Sequence, residues 1–298
     1  MAAPDDSARV DVSVIIPARN AAKWIGEQLD ALSRQTFDGD WEVIVVDNGS
    51  TDATATVARS WAGRVARLRV VEAPDQSGAN FARNHGVRVA RGRLLLFCDA
   101  DDRASSTWVE RMARASERAE FLGGPLDFLA LNSARQRAWY GGESEAPGVR
   151  PWDGYLSWVT SANLGMAAAL AERMGPFDTR FVGAGDDIAL SWRVTLLGTP
   201  PTEVPDAVMH YRFRPAGLAA WRHQYVYAKR MVTLYREFAP MGMPRREWNE
   251  AWGSWRYTLI RSALAPLLPP AQRQSALREL AYNVGKAVGS AQERTLFL

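Results

Sequence analysis

Short, nearly solid apolar runs alternate with segments of three-to-four-residue apolar period through the first third of the chain. VDVSVIIPA (10–18), WEVIVVD (41–47), VARLRVVEA (65–73) and RLLLFCDAD (93–101) read as strands. The last is apolar almost throughout, as the middle of a parallel sheet should be. Between them, AAKWIGEQLDALSRQ (21–35) places Trp24, Ile25, Leu29 and Leu32 on one helical face. TDATATVARSWAG (51–63) reads as a helix opened by Thr51 or Asp52 and closed by Gly63. GANFARNHGVRVARG (78–92) reads as a short helix. SSTWVERMARASERA (105–119) reads as the helix after the fourth strand, with Ser105 or Ser106 as its cap. Strand and helix in alternation predict βαβ units and a parallel sheet.

The rhythm then breaks. EFLGGPLDFLAL (120–131) reads as paired strands, and 141–154 as a loop whose length suggests function. A helix is expected from about Asp187 to Leu197, and a short strand over 201–215. From Ala216 the chain reads as helices broken near Pro240–Pro244 and Pro269–Pro270. In GLAAWRHQYVYAKRMVTLYREF, Leu218, Trp221, Tyr225, Ala228, Val232 and Tyr235 form an apolar stripe, while Arg222, Lys229 and Arg236 form a basic one. The pattern predicts an α/β domain over 1–214, with halves at about 10–104 and 120–214, and a basic, aromatic-rich helical region over 215–298.

Composition changes this picture little; charge and cysteine usage change it more. The 298 residues are 47% hydrophobic, enough for a sizeable core. The net charge of +3 conceals an asymmetry: from Tyr211 onward 14 basic residues face 5 acidic ones, whereas the first 210 residues carry −6. One part of such a chain commonly faces an anion. No helix-turn-helix, zinc-finger or RNP-type pattern is visible, so nucleic acid is the weakest partner. Cys98, the single cysteine, excludes an internal disulfide and fits a reducing cytosol. The acidic start (Asp5, Asp6, Asp11) does not resemble a signal peptide, and no stretch approaches a membrane span.

Three strands end in polar groups that a parallel sheet would gather at one edge, where ligands bind: Pro17–Asn20, Asp47–Ser50 and Asp99–Asp102. Asp47 suits a ribose hydroxyl or a base N–H, or simply bonds its own turn. Asp99 and Asp101 form a D-x-D pair, which is either a solvated turn or a site for a hard cation such as Mn²⁺ or Mg²⁺ shared with substrate phosphates. Asp186 and Asp187 open a helix, where they serve as caps or as a base kept ionised by the helix N-terminus. Phosphate-loop, dinucleotide, nucleophile-elbow and zincin motifs are absent.

The ordered series VSVIIPARN, EVIVVDNGSTD, GANFARNHG, LLLFCDADD, SANLGM, MGPFDTRFVGAGDDIALSWR and MHYR, spanning Val12 to His210, strongly resembles the family 2, GT-A fold, inverting glycosyltransferases. The resemblance implies an α/β fold with a mostly parallel, Rossmann-like sheet. It also implies that Pro17, Arg19, Asn20, Asp47 and Arg83 lie at the nucleotide, with Asp99 near the ribose and Asp101 on the metal. By the same resemblance His210 would complete the metal site, Asp187 would be the catalytic base, and Asn163 and Asp186 would lie near donor sugar and acceptor. The chain departs from the family pattern at Asn48, where a second Asp is common, and at Asp186, where Glu is usual. It also lacks the Q-x-x-R-W of processive polymerases. Transfer of a single sugar, most simply from a UDP-sugar, is therefore expected. A nucleotidyltransferase and an inactive sugar-nucleotide scaffold are the alternatives. The C-terminal helices could meet a membrane surface at its cytoplasmic face, or a second copy.

Overall fold

The computed structural model describes residues 9–175, 177–214, 217–245 and 248–297; Asp5, Asp6 and Ala216 lie outside them. The first half is the expected alternation: β1 (Val10–Ala18), α1 (Ile25–Ser33), β2 (Trp41–Asp47), α2 (Thr54–Arg59), β3 (Arg69–Glu72), α3 (Ala79–Val89) and β4 (Gly92–Cys98). β5 (Arg103–Ala104), α4 (Trp108–Ser116), β6 (Phe121–Gly123), β7 (Leu126–Asp127), α5 (Ala134–Trp139), β8 (Glu145–Ala146), β9 (Val149–Trp152) and β10 (Tyr155–Val159) follow. Then come β11 (Asn163–Ala167), α6 (Ala168–Met174), α7 (Asp186–Leu196), β12 (Thr202–Glu203) and β13 (Met209–His210). Three long helices close the chain: α8 (Leu218–Phe238), α9 (Trp248–Ala263) and α10 (Pro270–Glu293).

Seven strands form the central sheet in the order β12-β6-β11-β4-β1-β2-β3. β4, β1, β2 and β3 are parallel, and β11 runs antiparallel between β4 and β6. β1, β2 and β4 bury both faces, which explains their unbroken Val, Ile and Leu. One apolar core packs α1, α2 and α4 on one face; a second packs α3, α6 and α7 on the other. Cys98 is fully buried, and burial raises its thiol pKa well above the usual value, so it is a core residue.

Some elements differ from the sequence reading. The stretch 141–154 is not one loop: β8 pairs with β7, and β9 begins a hairpin with β10. Single-sequence periodicity misses such two- to five-residue strands because partners distant in the chain define them. The cap of α4 is Thr107, without a side-chain bond, and not Ser105 or Ser106. The cap of α2 is Ala53, without a side-chain bond, and not Thr51 or Asp52, although Asp52 Oδ1 accepts from Thr54 N at 3.0 Å just before it.

Asn48 fastens the strand-end loops to one another. Its amide donates to Ala73 O (2.6 Å) and Gln76 O (2.7 Å), and its carbonyl accepts from Gly78 N (2.7 Å). An aspartate cannot donate those bonds, which accounts for the departure from the family pattern. Asn48→Asp is expected to lose about 2–3 kcal/mol of stability, read by urea denaturation, because the buried Ala73 carbonyl and the part-buried Gln76 carbonyl would face a carboxylate.

α8 packs along α10, and its buried residues Met231, Val232, Leu234 and Phe238 join Trp192 of α7 in a third core. The basic stripe is partly used up inside the protein: Arg236 pairs with Glu293, and Lys229 lies 5.7 Å from the ring centroid of Tyr225. α9 is turned the other way. Its small residues Ala251 and Thr258, with Ala265 just beyond, face inward. Trp252 (69% exposed), Leu259, Ile260, Leu264 and Leu267 (83%) recur at three-, four- and seven-residue steps on the outer side.

Candidate active site

The loops leaving β1 and β4, with the first turns of α3 and α7, enclose a cleft of about 620 Å³. Pro17, Arg19, Asn20, Arg83, Asp99, Asp101, Asp186 and Asp187 line it together, although the chain separates the first and last by most of the catalytic domain. Asn20 has φ 52°, and the strain is held by its bonds to the facing loop. Its carbonyl accepts from Thr51 N (2.8 Å), and its own N–H donates to Ser50 Oγ (3.0 Å).

Arg83, 3% exposed, joins the two acidic pairs. It donates to Asp186 Oδ2 at 2.8 Å and to Asp99 Oδ1 at 3.1 Å, and Asn80 Oδ1 accepts a further bond at 3.1 Å. Burial works against its charge, but Asp186, Asp99 and Asp187 outweigh burial and raise its pKa. α7 starts after Gly185, whose φ of 81° favours glycine, so Asp186 and Asp187 occupy its first turn and neither is the cap. The sequence reading has the helix N-terminus keeping Asp187 ionised. Instead burial, followed by repulsion from Asp186, raises its pKa to about 7, with Arg83 and Arg150 opposing. Its Oδ1 accepts only from the adjacent Ile188 N–H (2.9 Å).

Asp101 is also raised, by burial and then by Asp99. Two facing carboxylates at that edge, with hard oxygen donors and mutual repulsion, fit a divalent cation. Among the described residues no three His, Cys, Asp or Glu side chains are grouped as a complete ligand set. A cation at Asp99 and Asp101 would thus need oxygens from a bound ligand. Asp102, left without a role by the sequence, is fully buried. It accepts from Arg212 N at 2.8 Å and fastens 209–214 beneath the cleft. Burial, Asp99 and Asp101 push its pKa well up, which suits a carboxyl whose Oδ2 is buried without a partner.

Three predicted residues stand elsewhere. His210 does not line the cleft: its Nδ1 lies 2.6 Å from Asp127 Oδ2, and it borders a separate surface hollow near Ser105 and Ser106. Neighbours along a strand point to opposite faces, so it is Tyr211 that reaches the cleft. Asn163 is buried and saturated. It accepts from Trp108 Nε1 (2.7 Å) and donates to Pro125 O (2.9 Å) and Ala207 O (2.8 Å). Gly124 leaves it room, since a Cβ there would lie 2.4 Å from the Asn163 amide nitrogen. It is an internal brace; its neighbours Thr160, Ser161 and Ala162 line the cleft instead. Asp47 closes its own turn by accepting from Ser50 N (2.9 Å), outside the lining but at the same sheet edge.

The sequence reading missed the opposite wall, made by Arg150 and Trp158 of the β9–β10 hairpin, Tyr211 and Arg214, and His223 and Tyr227 of α8. Only the excess of basic and aromatic residues after Tyr211 hinted at it.

Residues 13–128 match the family model described as glycosyl transferase family 2. The chain is 29% identical over 209 residues to the glycosyltransferase AglE of Haloferax volcanii, covering 69% of this chain and 68% of that one. It is 38% identical over 107 residues to the uncharacterized glycosyltransferase EpsJ of Bacillus subtilis, covering 36% of this chain and 30% of EpsJ. It is 40% identical over 90 residues to a PGL/p-HBAD biosynthesis glycosyltransferase of Mycobacterium tuberculosis, covering 30% of this chain and 35% of that one. The matches thus span about a third of each of the last two relatives. Among solved structures, the mannosyltransferase PcManGT from Pyrobaculum calidifontis, in complex with GDP-Man and Mn²⁺, superposes with TM-score 0.64 at 23% identity, over 98% of this chain and 90% of that one. S. aureus TarS 1–349 in complex with UDP superposes with TM-score 0.54 at 18% identity, over 96% and 92%. Likeness at this identity establishes the fold.

Proposed function

From the premise that the chain is a family 2 glycosyltransferase of GT-A fold, we propose that it moves one sugar from a nucleotide-diphosphate sugar to an acceptor hydroxyl, with inversion, and that the donor is a UDP-sugar. The observation that carries this reading is the convergence of Asp99 and Asp101 with Asp187 in one cleft, linked through Arg83. The UDP choice draws support from the TarS likeness, and PcManGT makes GDP the competing nucleotide.

Pro17, Arg19 and Asn20 would border the nucleotide, and Asp47 would keep its second oxygen for the ribose or base. Arg83 holds Asp99 in place and lends positive charge where diphosphate oxygens would lie. Asp99 and Asp101 would hold Mn²⁺ or Mg²⁺, which when bound supplies charge neutralisation to the departing diphosphate. Asp187 takes the proton from the acceptor hydroxyl, whose oxygen attacks the anomeric carbon opposite the leaving group. A single displacement inverts configuration. His210 has no part in this scheme.

No described helix is long and apolar enough to cross a membrane. The outward apolar face of α9, within a region of net +9, suits peripheral contact with an anionic membrane at its cytoplasmic face. Co-sedimentation with phosphatidylglycerol vesicles, lost in a Trp252→Ser, Ile260→Ser variant, would support it; a concentration-dependent dimer lost in the same variant would favour a second copy.

Thermal shift with UDP, GDP and dTDP, each with and without Mn²⁺, tests the donor. UDP with Mn²⁺ is expected to raise Tm most. No shift from any nucleotide with the fold intact would remove the reading, and a larger shift with GDP would reassign the base.

A further inference from the structure

Arg150 is a half-buried cation without an anionic partner among the described residues. Its Nε is sealed from solvent and bonds nothing, and its guanidinium lies 5.0 Å from the ring centroid of Trp158. The strands fix both side chains, since Arg150 and Trp158 face each other in the β9–β10 register. α7 packs against β10, and Trp192 of α7 donates its indole N–H to Leu156 O at 2.7 Å. Burial lowers the pKa of Arg150, and Asp187 is the foremost charge opposing this, yet among the described residues no carboxylate forms an ion pair with it. Stacking on one indole does not replace the hydrogen bond that Nε has given up, and the rest of the guanidinium is left for the cleft.

Position along the cleft says what could supply them. The strongest charge influences on Asp101 after Asp99 are Arg214 and Arg212; Arg212 is taken up by Glu27, and Arg214 lines the cleft at the end where a donor diphosphate would lie. Arg150 acts instead on Asp187, beside Tyr211 and Tyr227. His223, also in the cleft lining, has its pKa lowered to about 4 by burial, then by Arg214 and Arg278. It stays neutral, free to donate to or accept from a ligand without repelling the arginines.

We propose that Arg150 is an anion-binding subsite for the acceptor: the unpaired guanidinium on Trp158, beside Asp187, seats a phosphate carried by the molecule whose hydroxyl is glycosylated. This rests on the functional reading above for which end of the cleft is the acceptor's. The fork of N–H groups would hold two phosphate oxygens and set the hydroxyl toward Asp187. The source could be a free sugar phosphate or a lipid headgroup; the chemistry recognised is the same.

The test titrates inorganic phosphate into the full chain already saturated with UDP and Mn²⁺, so that the donor end is filled, with calorimetry as readout. Wild type is expected to bind phosphate, Arg150→Gln to bind it about tenfold or more weakly, and Arg150→Lys to fall between. Uptake unaffected by Arg150→Gln, no uptake by the UDP-loaded wild type, or equal uptake of acetate would overturn the proposal. If UDP itself fails to bind, the donor reading has failed, and that is seen before any phosphate is added. A comparison of UDP-glucuronate with UDP-glucose binding guards the assignment: if Arg150→Gln weakens only the uronate, the anion belongs to the donor sugar and the proposal falls. Displacement of phosphate by glucose 6-phosphate or by phosphatidate vesicles identifies the source.

Discussion

Asp187→Asn is expected to lower sugar transfer by about a thousandfold while nucleotide binding survives, because general-base catalysis contributes roughly 10²–10⁴. The amide keeps the carboxylate's size and can still accept from Ile188 N–H, so the first turn of α7 is undisturbed. It cannot take a proton. The wild-type carboxyl, raised to about 7, also fixes the pH dependence. The base form is the ionised one, so kcat/KM should climb tenfold per pH unit below about 7 and level off above it. The same shift bears on stability with a definite sign. The group ionises near pH 4 when unfolded and near 7 when folded, so its contribution turns unfavourable as pH rises between those values. Single-turnover assays over pH 5.5–8.5 would check the rate limb, and urea denaturation over the same range the stability. Near-normal transfer by Asp187→Asn, or a flat acid limb, would remove Asp187 as the base.

Arg83→Met should cost about 3–5 kcal/mol, the usual result of removing one partner from a buried ion pair. Here one arginine serves two acids, Asp99 and Asp186, and offsets the charge of Asp187 as well. Methionine fills much of the volume, so the loss is electrostatic rather than a void. The loss should shrink as pH falls, because the abandoned carboxyls protonate and their mutual repulsion disappears. Urea denaturation at pH 5 and pH 8 separates the cases: a loss equal at both would mean packing. UDP with Mn²⁺ should raise the stability of Arg83→Met less than that of wild type, since the guanidinium that would meet the diphosphate is gone.

The donor edge was legible in the sequence because local pattern and global position agree there. Apolar strands of Val, Ile and Leu must be buried, parallel strands must end on one edge, and so the polar residues after Pro17 and Cys98 must meet. Asp186 and Asp187 joined them by resemblance alone. What could not be read depends on pairings far apart in the chain. Arg150 reaches the cleft through a hairpin with no periodic signature, and Tyr227 through the docking of α8. His210 was misplaced by a single residue: in a strand, one step exchanges the face toward the cleft for the face toward Asp127. Asn163 was misread because a buried amide with every bond made looks, in sequence, the same as one waiting for a substrate.

The two walls of the cleft are held by different means. Asp99 and Asp101 sit where β4 ends, so displacing either would disturb the sheet. Arg150, Trp158, His223 and Tyr227 belong to a two-stranded ribbon packed against α7 and to a helix of the third core, both outside the ladder of the central sheet. Mutations that reshape this wall leave the strand ends where they are. A lineage could thus change what it glycosylates while keeping how it glycosylates, and its history should be written in the ribbon and α8 rather than in the sheet.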